Sequence, residues 1–316
     1  MPISWRSRRG GLLAVAVLSM AAMIDARQTQ QPSPPQHGVV SAALAEQIAL
    51  DRACFSPGEI DGSPGANTRR ALDAFCEAHH IRCADRAAVA KALGAGEADE
   101  TTAYTITEQD AAGPFLPEIP TDPLAQAQLP ALSYTSVVEL LGERFHAAPA
   151  VLKQLNPGAT FTAGESLVVP NVARPQPSAS AARIVVSKGK STLAVLDERG
   201  GVVFLAPVTS GSQHDPLPIG KWTVTAVVQH PTFNYNPALF WDADPKDAKV
   251  KLPAGPNGPV GVVWIDISKP HYGIHGTAEP SAIGHTASHG CVRLTNWDAE
   301  TVAGLVHKGT PVIFER

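Results

Sequence analysis

The chain has 316 residues, of which 44% are hydrophobic and 17% are charged, and its formal net charge is −4. This length suggests two or three domains, and the hydrophobic content is sufficient for packed cores. The acidic balance, with no basic run beyond the first ten residues, argues against nucleic acid as a partner. The 28 prolines and 26 glycines favour loop-rich β domains and linkers over a helical bundle.

Residues 1–26 have the organisation of a secretory signal. A positive start is followed by the apolar run 11–22, which is too short to cross a membrane comfortably, and then by small residues that suit a cleavage site. An uncleaved membrane anchor is the alternative, and both interpretations predict an exported chain. Residues 27–38 are polar and rich in proline, so they are predicted to form a linker.

Residues 39–94 are predicted to form a small helical domain. Apolar periodicity indicates helices at 42–53, 67–79 and 86–93, and Asp85 is placed to cap the third. Because exported cysteines tend to form disulfides, we expect a bond between Cys76 and Cys83, which lie close together at a helix end. Cys54 makes the number of cysteines in this domain odd, and sequence alone cannot establish the pairing.

Residues 95–132 are predicted to be an irregular connector, with one short strand possible at 103–107. A different pattern occupies residues 133–170, where two short helices, a turn and a closing strand are predicted. The helices are expected at 137–145 and 149–155, and the strand at 163–170. Residues 171–182 are predicted to be a second linker.

From residue 183 onward the sequence is typical of β structure. Short runs rich in valine, isoleucine and threonine alternate with turns, which predicts a sandwich or barrel. Strands are expected at 183–187, 192–197, 202–208, 221–228, 261–267 and 311–315. A final helix is expected at 297–307, with Thr295 and Asp298 as a capping pair and Gly309 closing it.

The long insertion at residues 230–259 carries four aromatic side chains within a compact domain. Insertions of this length are usually functional lids or disordered segments. Hydrophobic packing across the sheet is the equally plausible structural alternative.

The most informative stretch lies near the C-terminus, where Cys291 follows two histidines. A thiol becomes a strong nucleophile when a neighbouring base removes its proton. His289 is too close in sequence to approach the sulfur freely, whereas His275 is far enough upstream to face it from an adjacent strand. His275 is therefore the candidate base and His289 a supporting group, while Gly290 lets backbone amides approach a developing oxyanion.

Two other interpretations of this stretch were weighed. Cys291 could be an inert buried residue, or it could join His271, His275, His285 and His289 in a zinc site. The spacing of the first two histidines suits one face of a helix, but the nearby proline and glycines make a helix improbable. We therefore predict a nucleophilic cysteine with neither metal nor cofactor.

The pattern His-Gly-Thr at 275–277, Ile-Gly at 283–284 and Ser-His-Gly-Cys-Val-Arg-Leu at 288–294 resembles the signature of the L,D-transpeptidases, with the YkuD-type catalytic domain. The resemblance runs from about 183 to 315. It implies a cysteine acyltransferase that acts on peptidoglycan stem peptides.

The resemblance also assigns supporting roles. The carbonyl of Gly276 would orient the ring of His275, and Ser288, His289 and Gly290 would support the nucleophile. The candidate substrate contacts are Arg293, Tyr272 and Tyr235, with bracing of the loop as the alternative role of Arg293. The insertion would cover the cysteine and hold the donor peptide, and carbapenems would acylate Cys291.

Two accessory segments carry weaker resemblances. The string SPGEIDGSPGANTRRALDAF in 39–94 resembles a small peptidoglycan-binding domain, with a three-helix spacer as the alternative. Residues 133–170 resemble a LysM glycan-binding module, although the usual opening Gly-Asp-Thr-Leu is absent and a packing role is nearly as plausible. The predicted fold is thus a multidomain α+β protein with a C-terminal, mainly-β, sandwich-like catalytic domain at 183–316.

Three classes of function remain open at this level. The first is a transpeptidase, the second is a hydrolase or D-amino-acid exchange enzyme of the same fold, and the third is a non-catalytic wall-binding protein. The expected partners are peptidoglycan stem peptides and glycan. The acceptor could be another stem, a lipoprotein, a D-amino acid or water, and the oligomeric state is undetermined.

Overall fold

The computed structural model describes residues 38–94, 99–174, 181–241, 243–244 and 246–316. The predicted signal at 1–26 and nearly all of the first linker lie outside the described residues. Residues from Gln36 to Arg316 belong to one compact unit. Within the described residues, no helix combines the length and the apolar character that a membrane span requires.

Eight α-helices are found in the described part of the chain, and polar side chains define where most of them begin. Ser41, Asp85, Ser136 and Thr295 each accept a hydrogen bond from the first turn of a helix, as N-cap residues do. The helices are α1 (Ala42–Arg52), α2 (Ala66–Ala78), α3 (Arg86–Ala92), α4 (Glu108–Ala112), α5 (Pro123–Gln126), α6 (Val137–Arg144), α7 (Pro149–Leu155) and α8 (Asn296–Leu305).

The predicted helices agree with these bounds, with two exceptions. The short helices α4 and α5 lie in the proline-rich stretch that was expected to be irregular; Thr107 and Asp110 form a capping box around the start of α4. The final helix α8 stops at Leu305, so Gly309 does not close it. Gly309 instead has a φ of +95° in the turn that follows.

A small two-stranded sheet flanks α6 and α7. Strand β1 (Thr101–Thr105) pairs antiparallel with β2 (Ser166–Pro170), so the order of elements is strand, helices, strand. The predicted LysM-like boundaries at 133–170 omit β1, because the long proline-rich insertion separates this strand from the helices it accompanies. The identity of this module and of the helical domain remains a prediction.

The C-terminal part of the chain is a mixed nine-stranded sheet, ordered β5-β4-β3-β13-β7-β10-β11-β12-β6. Its strands are β3 (Arg183–Ser187), β4 (Thr192–Leu196), β5 (Val202–Pro207), β6 (Thr209–Ser210), β7 (Gly220–Gln229), β10 (Val263–Ile267), β11 (Gly273–His275), β12 (Val292–Arg293) and β13 (Pro311–Glu315). A separate hairpin in the insertion pairs β8 (Phe233–Tyr235) with β9 (Val250–Leu252).

The predicted mainly-β domain is confirmed: its strands hydrogen-bond in one order that runs through β7, and both groups of strands contribute to the same main core. Strand β7 is ten residues long, and it pairs with β13 along its first half and with β10 along its second half. One long strand therefore joins two groups of short strands that local sequence pattern would leave separate. Helix α8 packs on this sheet, and its buried Ala299 and Val302 belong to the main core.

Hydrophobic packing crosses the predicted domain boundaries. Leu44 and Ile48 of α1 share one core with Leu141 of α6 and Leu167 of β2. Phe75 of α2 belongs to a second core that includes Leu205 of β5. Residues 54–56 also pair with the edge strand β5, because Ser56 N donates to Leu205 O at 2.7 Å, which covers an otherwise open sheet edge. The predicted domain bounds remain a prediction, but the segments pack as neighbours in one unit.

A buried ionic cluster joins the same segments. Arg174, in the predicted second linker, forms ion pairs with Asp51 of α1 and Asp298 of α8, and His146 contacts Asp51 at 3.0 Å. Ser56 donates a hydrogen bond to Asp298 at 2.9 Å. We call these five residues the ionic cluster. Both carboxylates are fully buried, so the ion pairs and hydrogen bonds of the cluster replace the hydration that these charges lose on folding.

The expected disulfide is confirmed. Cys76 at the end of α2 is bonded to Cys83, with their Cα atoms 5.6 Å apart, while Cys54 and Cys291 are free.

Candidate active site

The sheet places His275 on β11 and Cys291 at the entry to the neighbouring strand β12. His275 ends β11, and Cys291 immediately precedes β12, which pairs with β11 in parallel. In this register His275 is opposite Arg293, and on its other side it is opposite Trp264 of β10. Paired residues share one face of a sheet, so Trp264, His275 and Arg293 line the same side, and Cys291 lies two residues before Arg293 at the entry to β12.

His275 is held in a single tautomer. The imidazole is 4% exposed, and its Nδ1 lies 2.7 Å from the carbonyl oxygen of Gly276. Because a carbonyl oxygen only accepts hydrogen bonds, Nδ1 must carry the proton and Nε2 is left with the lone pair. Burial, together with the nearby Arg293 charge, lowers the pKa of His275 to about 4. The ring is therefore a neutral base at physiological pH.

Cys291 is a partly buried thiol. Burial raises its pKa, while the backbone of Gly273 and the charge of Arg293 act in the opposite direction. Its Sγ lies 3.8 Å from the carbonyl oxygen of His271. With the cysteine pKa raised and the histidine pKa lowered, both side chains favour their neutral forms at physiological pH.

The loop before Cys291 is anchored by Ser288. The hydroxyl accepts from Gly211 N at 2.7 Å and donates to Cys291 O at 2.6 Å. Gly290 follows with a φ of +101°, and a Cβ there would lie 2.6 Å from the ring of Tyr272. Glycine is thus required on both conformational and steric grounds. These contacts place Ser288, Gly290 and Tyr272 around Cys291, and their functional roles stay a prediction.

The insertion reaches this loop through two aromatic rings. The rings of Phe240 and Trp241 lie 5.1 and 5.8 Å from that of His289, and Trp241 also stacks on His214 at 4.4 Å. Tyr235 is one layer further away, because it stacks on Phe240 and donates to Asp247 at 2.9 Å. The insertion thus contacts the loop before Cys291, and its role as a cover stays a prediction. Phe240 and Asp247, which Tyr235 contacts, both belong to the insertion.

Two residues at the site were missed in the sequence. Trp264 stacks on the ring of His275 at 5.4 Å; its only sequence signal was a place in a predicted strand. Asn296 is the first residue of α8, directly after the N-cap Thr295. The buried Asn296 side chain contacts the backbone at Gly261 and Gly276, and no local pattern indicates that long-range contact.

The zinc alternative finds no support in the geometry. His275 lies on a strand, so its spacing from His271 does not place both rings on one helical face. Both His271 and His285 are exposed. Within the described residues, no three or more His, Cys, Asp or Glu side chains are grouped as metal ligands would be.

Comparisons with known proteins agree with these features. The family profile for the YkuD L,D-transpeptidase catalytic domain matches residues 181–314. The chain is 32% identical over 174 residues to the Bacillus subtilis protein named L,D-transpeptidase YkuD, which covers 54% of this chain and 89% of that protein. It is 31% identical over 135 residues to the Escherichia coli protein named L,D-transpeptidase YbiS, covering 42% and 44% of the two chains.

Among solved structures, L,D-transpeptidase 3 from Mycobacterium tuberculosis aligns with a TM-score of 0.36 and 19% identity, covering 49% of this chain and 76% of that one. The Bacillus relative is matched over 89% of its length, and the residues matched by the family profile, 181–314, include His275 and Cys291. The chain therefore belongs to the YkuD family of L,D-transpeptidases, which are transferases.

Proposed function

We propose that this protein is an exported peptidoglycan L,D-transpeptidase that works through a thioester on Cys291. The observation that carries the proposal is the pairing of strands β11 and β12, with His275 fixed by the Gly276 carbonyl at 2.7 Å. A neutral histidine with a free Nε2 beside a cysteine is the arrangement that acyl transfer by a thiol requires. The relatives named above as L,D-transpeptidases support the reaction class.

In the acylation step, Cys291 attacks the carbonyl of diaminopimelate in a tetrapeptide stem. The S–H proton passes to Nε2 of His275 as the S–C bond forms, and the resulting oxyanion is held by backbone amides near Gly290 and Cys291. The C–N bond to the terminal D-alanine then breaks, and the imidazolium returns its proton to the leaving amine. The product is a thioester, and the histidine is neutral again.

In the second step an acceptor amine attacks the thioester. His275 takes a proton from that amine, the C–S bond breaks, and the proton returns to the sulfur of Cys291. Another stem peptide as acceptor gives a cross-link, whereas a lipoprotein lysine or a D-amino acid gives an attachment or an exchange. Attack by water gives hydrolysis, so one site accommodates all of these products.

One cationic and one aromatic side chain suit the donor peptide. Arg293 lies on the same face as His275 and would hold a donor carboxylate. Tyr272, packed beside Gly290, would line the same side. The signal-like residues 1–26 support export of the protein to the compartment that holds the cell-wall substrate and that carbapenems reach.

The test is mass spectrometry of tetrapeptide muropeptides after incubation with residues 27–316. We expect a dimer joined between two diaminopimelates, together with released D-alanine. Cys291→Ala should abolish both products, and His275→Gln should nearly do so, with the fold retained. A carbapenem should add its mass to the wild-type protein and not to Cys291→Ala.

A tripeptide product without dimers would assign hydrolysis to the same site. Unchanged muropeptides combined with an unreactive Cys291 would refute the enzymatic proposal and favour a wall-binding protein.

A further inference from the structure

Asn296 connects the active-site backbone to a helix outside the catalytic sheet. Its Oδ1 accepts a hydrogen bond from Val262 N at 3.2 Å. The same oxygen packs directly on two glycines, since a Cβ at Gly261 or Gly276 would lie 2.0 or 2.2 Å from it. Gly276 is the residue whose carbonyl fixes the tautomer of His275. The orientation of the Asn296 amide therefore bears on the position of the general base.

The other end of this amide is held from α6. Asn296 Nδ2 donates to Glu143 Oε1 at 3.1 Å and to Pro256 O at 3.2 Å, so both amide hydrogens are used. Glu143 lies in the last turn of α6, within the segment predicted to be a LysM-like module. If the Asn296 amide were flipped, its NH2 group would face the Val262 N–H donor and its oxygen would face the two acceptor oxygens. The three partners therefore fix the orientation of the amide.

Glu143 is not placed there as an ordinary surface charge. Burial raises its pKa to about 8, and the neighbouring carboxylates of Glu139, Glu300 and Glu59 act in the same direction. Arg144 is the next residue on the helix, but it pairs with Asp110. Beside Glu143 and Asn296 is a cavity of about 250 Å³, which Tyr134 and Glu300 also line. Among the described residues no ion pair to Glu143 is found, so the contact that holds its carboxyl is the hydrogen bond from Asn296.

We propose that Glu143 is a positioning residue for His275, acting through Asn296 and the backbone of Gly276. The α6 segment is thereby a working part of the active site rather than only a wall-binding accessory. This inference rests on the proposed function in that His275 is the base for Cys291. The acceptor oxygen is the essential feature, because both protonation states of a carboxyl retain an oxygen that accepts from Nδ2.

The experiment compares two substitutions of similar size. Glu143→Gln keeps an acceptor oxygen, whereas Glu143→Met fills the space without one. Glu300→Ala is the matched control, since this residue lines the same cavity while the hydrogens of Asn296 go to Glu143 and Pro256. The readouts are the rate of Cys291 alkylation by iodoacetamide as a function of pH, and kcat and KM with a tetrapeptide stem at a temperature where all variants are folded.

We expect Glu143→Met to slow both alkylation and kcat by about tenfold, with KM nearly unchanged, since small misplacements of a base have effects of this size. Glu143→Gln and Glu300→Ala should stay within about twofold of wild type on the same reasoning. A wild-type rate in a folded Glu143→Met protein would overturn the proposal. Equal slowing of the Gln and Met variants would also overturn it, because the amide oxygen of Gln replaces the acceptor.

The alkylation assay separates this inference from the proposed function. If the wild-type protein does not process muropeptides, the transpeptidase assignment fails, but alkylation still reports whether Glu143 controls the reactivity of Cys291. If muropeptides are processed and the Met variant is as reactive as wild type, only the positioning role is lost.

Discussion

Arg174 provides the sharpest test of how the chain is held together. Its guanidinium donates to both oxygens of Asp51, to Thr301 at 2.9 Å and to Asp298 at 3.4 Å. The side chain is only 11% exposed, and both carboxylates are fully buried. We expect Arg174→Met to fill most of the space while leaving two buried carboxylates without their cation.

The magnitude follows from the burial of these carboxylates. Removing one partner of a buried ion pair costs about 3–5 kcal/mol. The pKa of Asp51 is lowered to about 2 even though burial opposes this, because Arg174 and His146 outweigh it. A shift from 3.8 to about 2 is equivalent to about 2 kcal/mol of stabilisation at neutral pH. We therefore expect the free energy of unfolding to fall by about 4 kcal/mol at pH 7.

The sign of the pH dependence is also determined. A lowered carboxyl pKa stabilises the folded state above pH 3.8 and this contribution is lost as the pH falls toward 2. Without Arg174, burial raises the pKa of Asp51 against the opposing effect of His146, so the carboxylate takes up a proton at a higher pH than in wild type. The difference between variant and wild type should therefore shrink as the pH falls.

The assay is urea unfolding followed by tryptophan fluorescence, since Trp297 stacks on His146 of the ionic cluster at 5.3 Å. Lys190→Met is the control, because its pair with Glu77 is highly exposed, and we expect a change within about 0.5 kcal/mol. A loss below about 1 kcal/mol for Arg174→Met at pH 7, or a loss that does not depend on pH, would refute this account of the cluster.

Three further predictions concern the active site. Because burial lowers the pKa of His275 to about 4, the rate of Cys291 acylation should fall only as the pH drops through about 4. A midpoint near 6.5 in the pH–rate profile would contradict a buried, neutral His275. Ser288→Ala removes the hydroxyl that bridges Gly211 N and Cys291 O, so calorimetry should show the free energy of unfolding to fall by about 1–2 kcal/mol. The kcat should fall as well, and an unchanged kcat would argue that Ser288 does not anchor the Cys291 loop. Trp241→Ala removes a ring that is 57% exposed, so we expect the free energy of unfolding to stay within about 0.5 kcal/mol of wild type. The KM for the donor peptide should rise about fivefold. An unchanged KM would mean that the insertion packs on the domain without binding the donor.

Much of this protein is determined by the sequence alone, because the relevant signals are local. Helix α1 begins where Ser41 can cap it, and α8 begins where Thr295 can, since a side-chain oxygen satisfies amides that the first turn leaves unpaired. The candidate nucleophile Cys291 and candidate base His275 could be proposed because a short spaced motif carries both, and their roles stay a prediction. The disulfide was predictable because Cys76 and Cys83 are close in sequence at the end of one helix.

Only the tertiary structure determined which residues distant in sequence contact one another. The pairing of β1 with β2 across a long insertion, the union of two strand groups through β7, and the ionic cluster around Arg174 all join segments that have no local signal for one another. The same holds for Asn296, whose local pattern suggests a cap and whose actual partners are Glu143, Val262 and the backbone of Gly276. Buried polar groups must find partners wherever the fold places them, and the sequence states their chemistry but not which distant residue satisfies it.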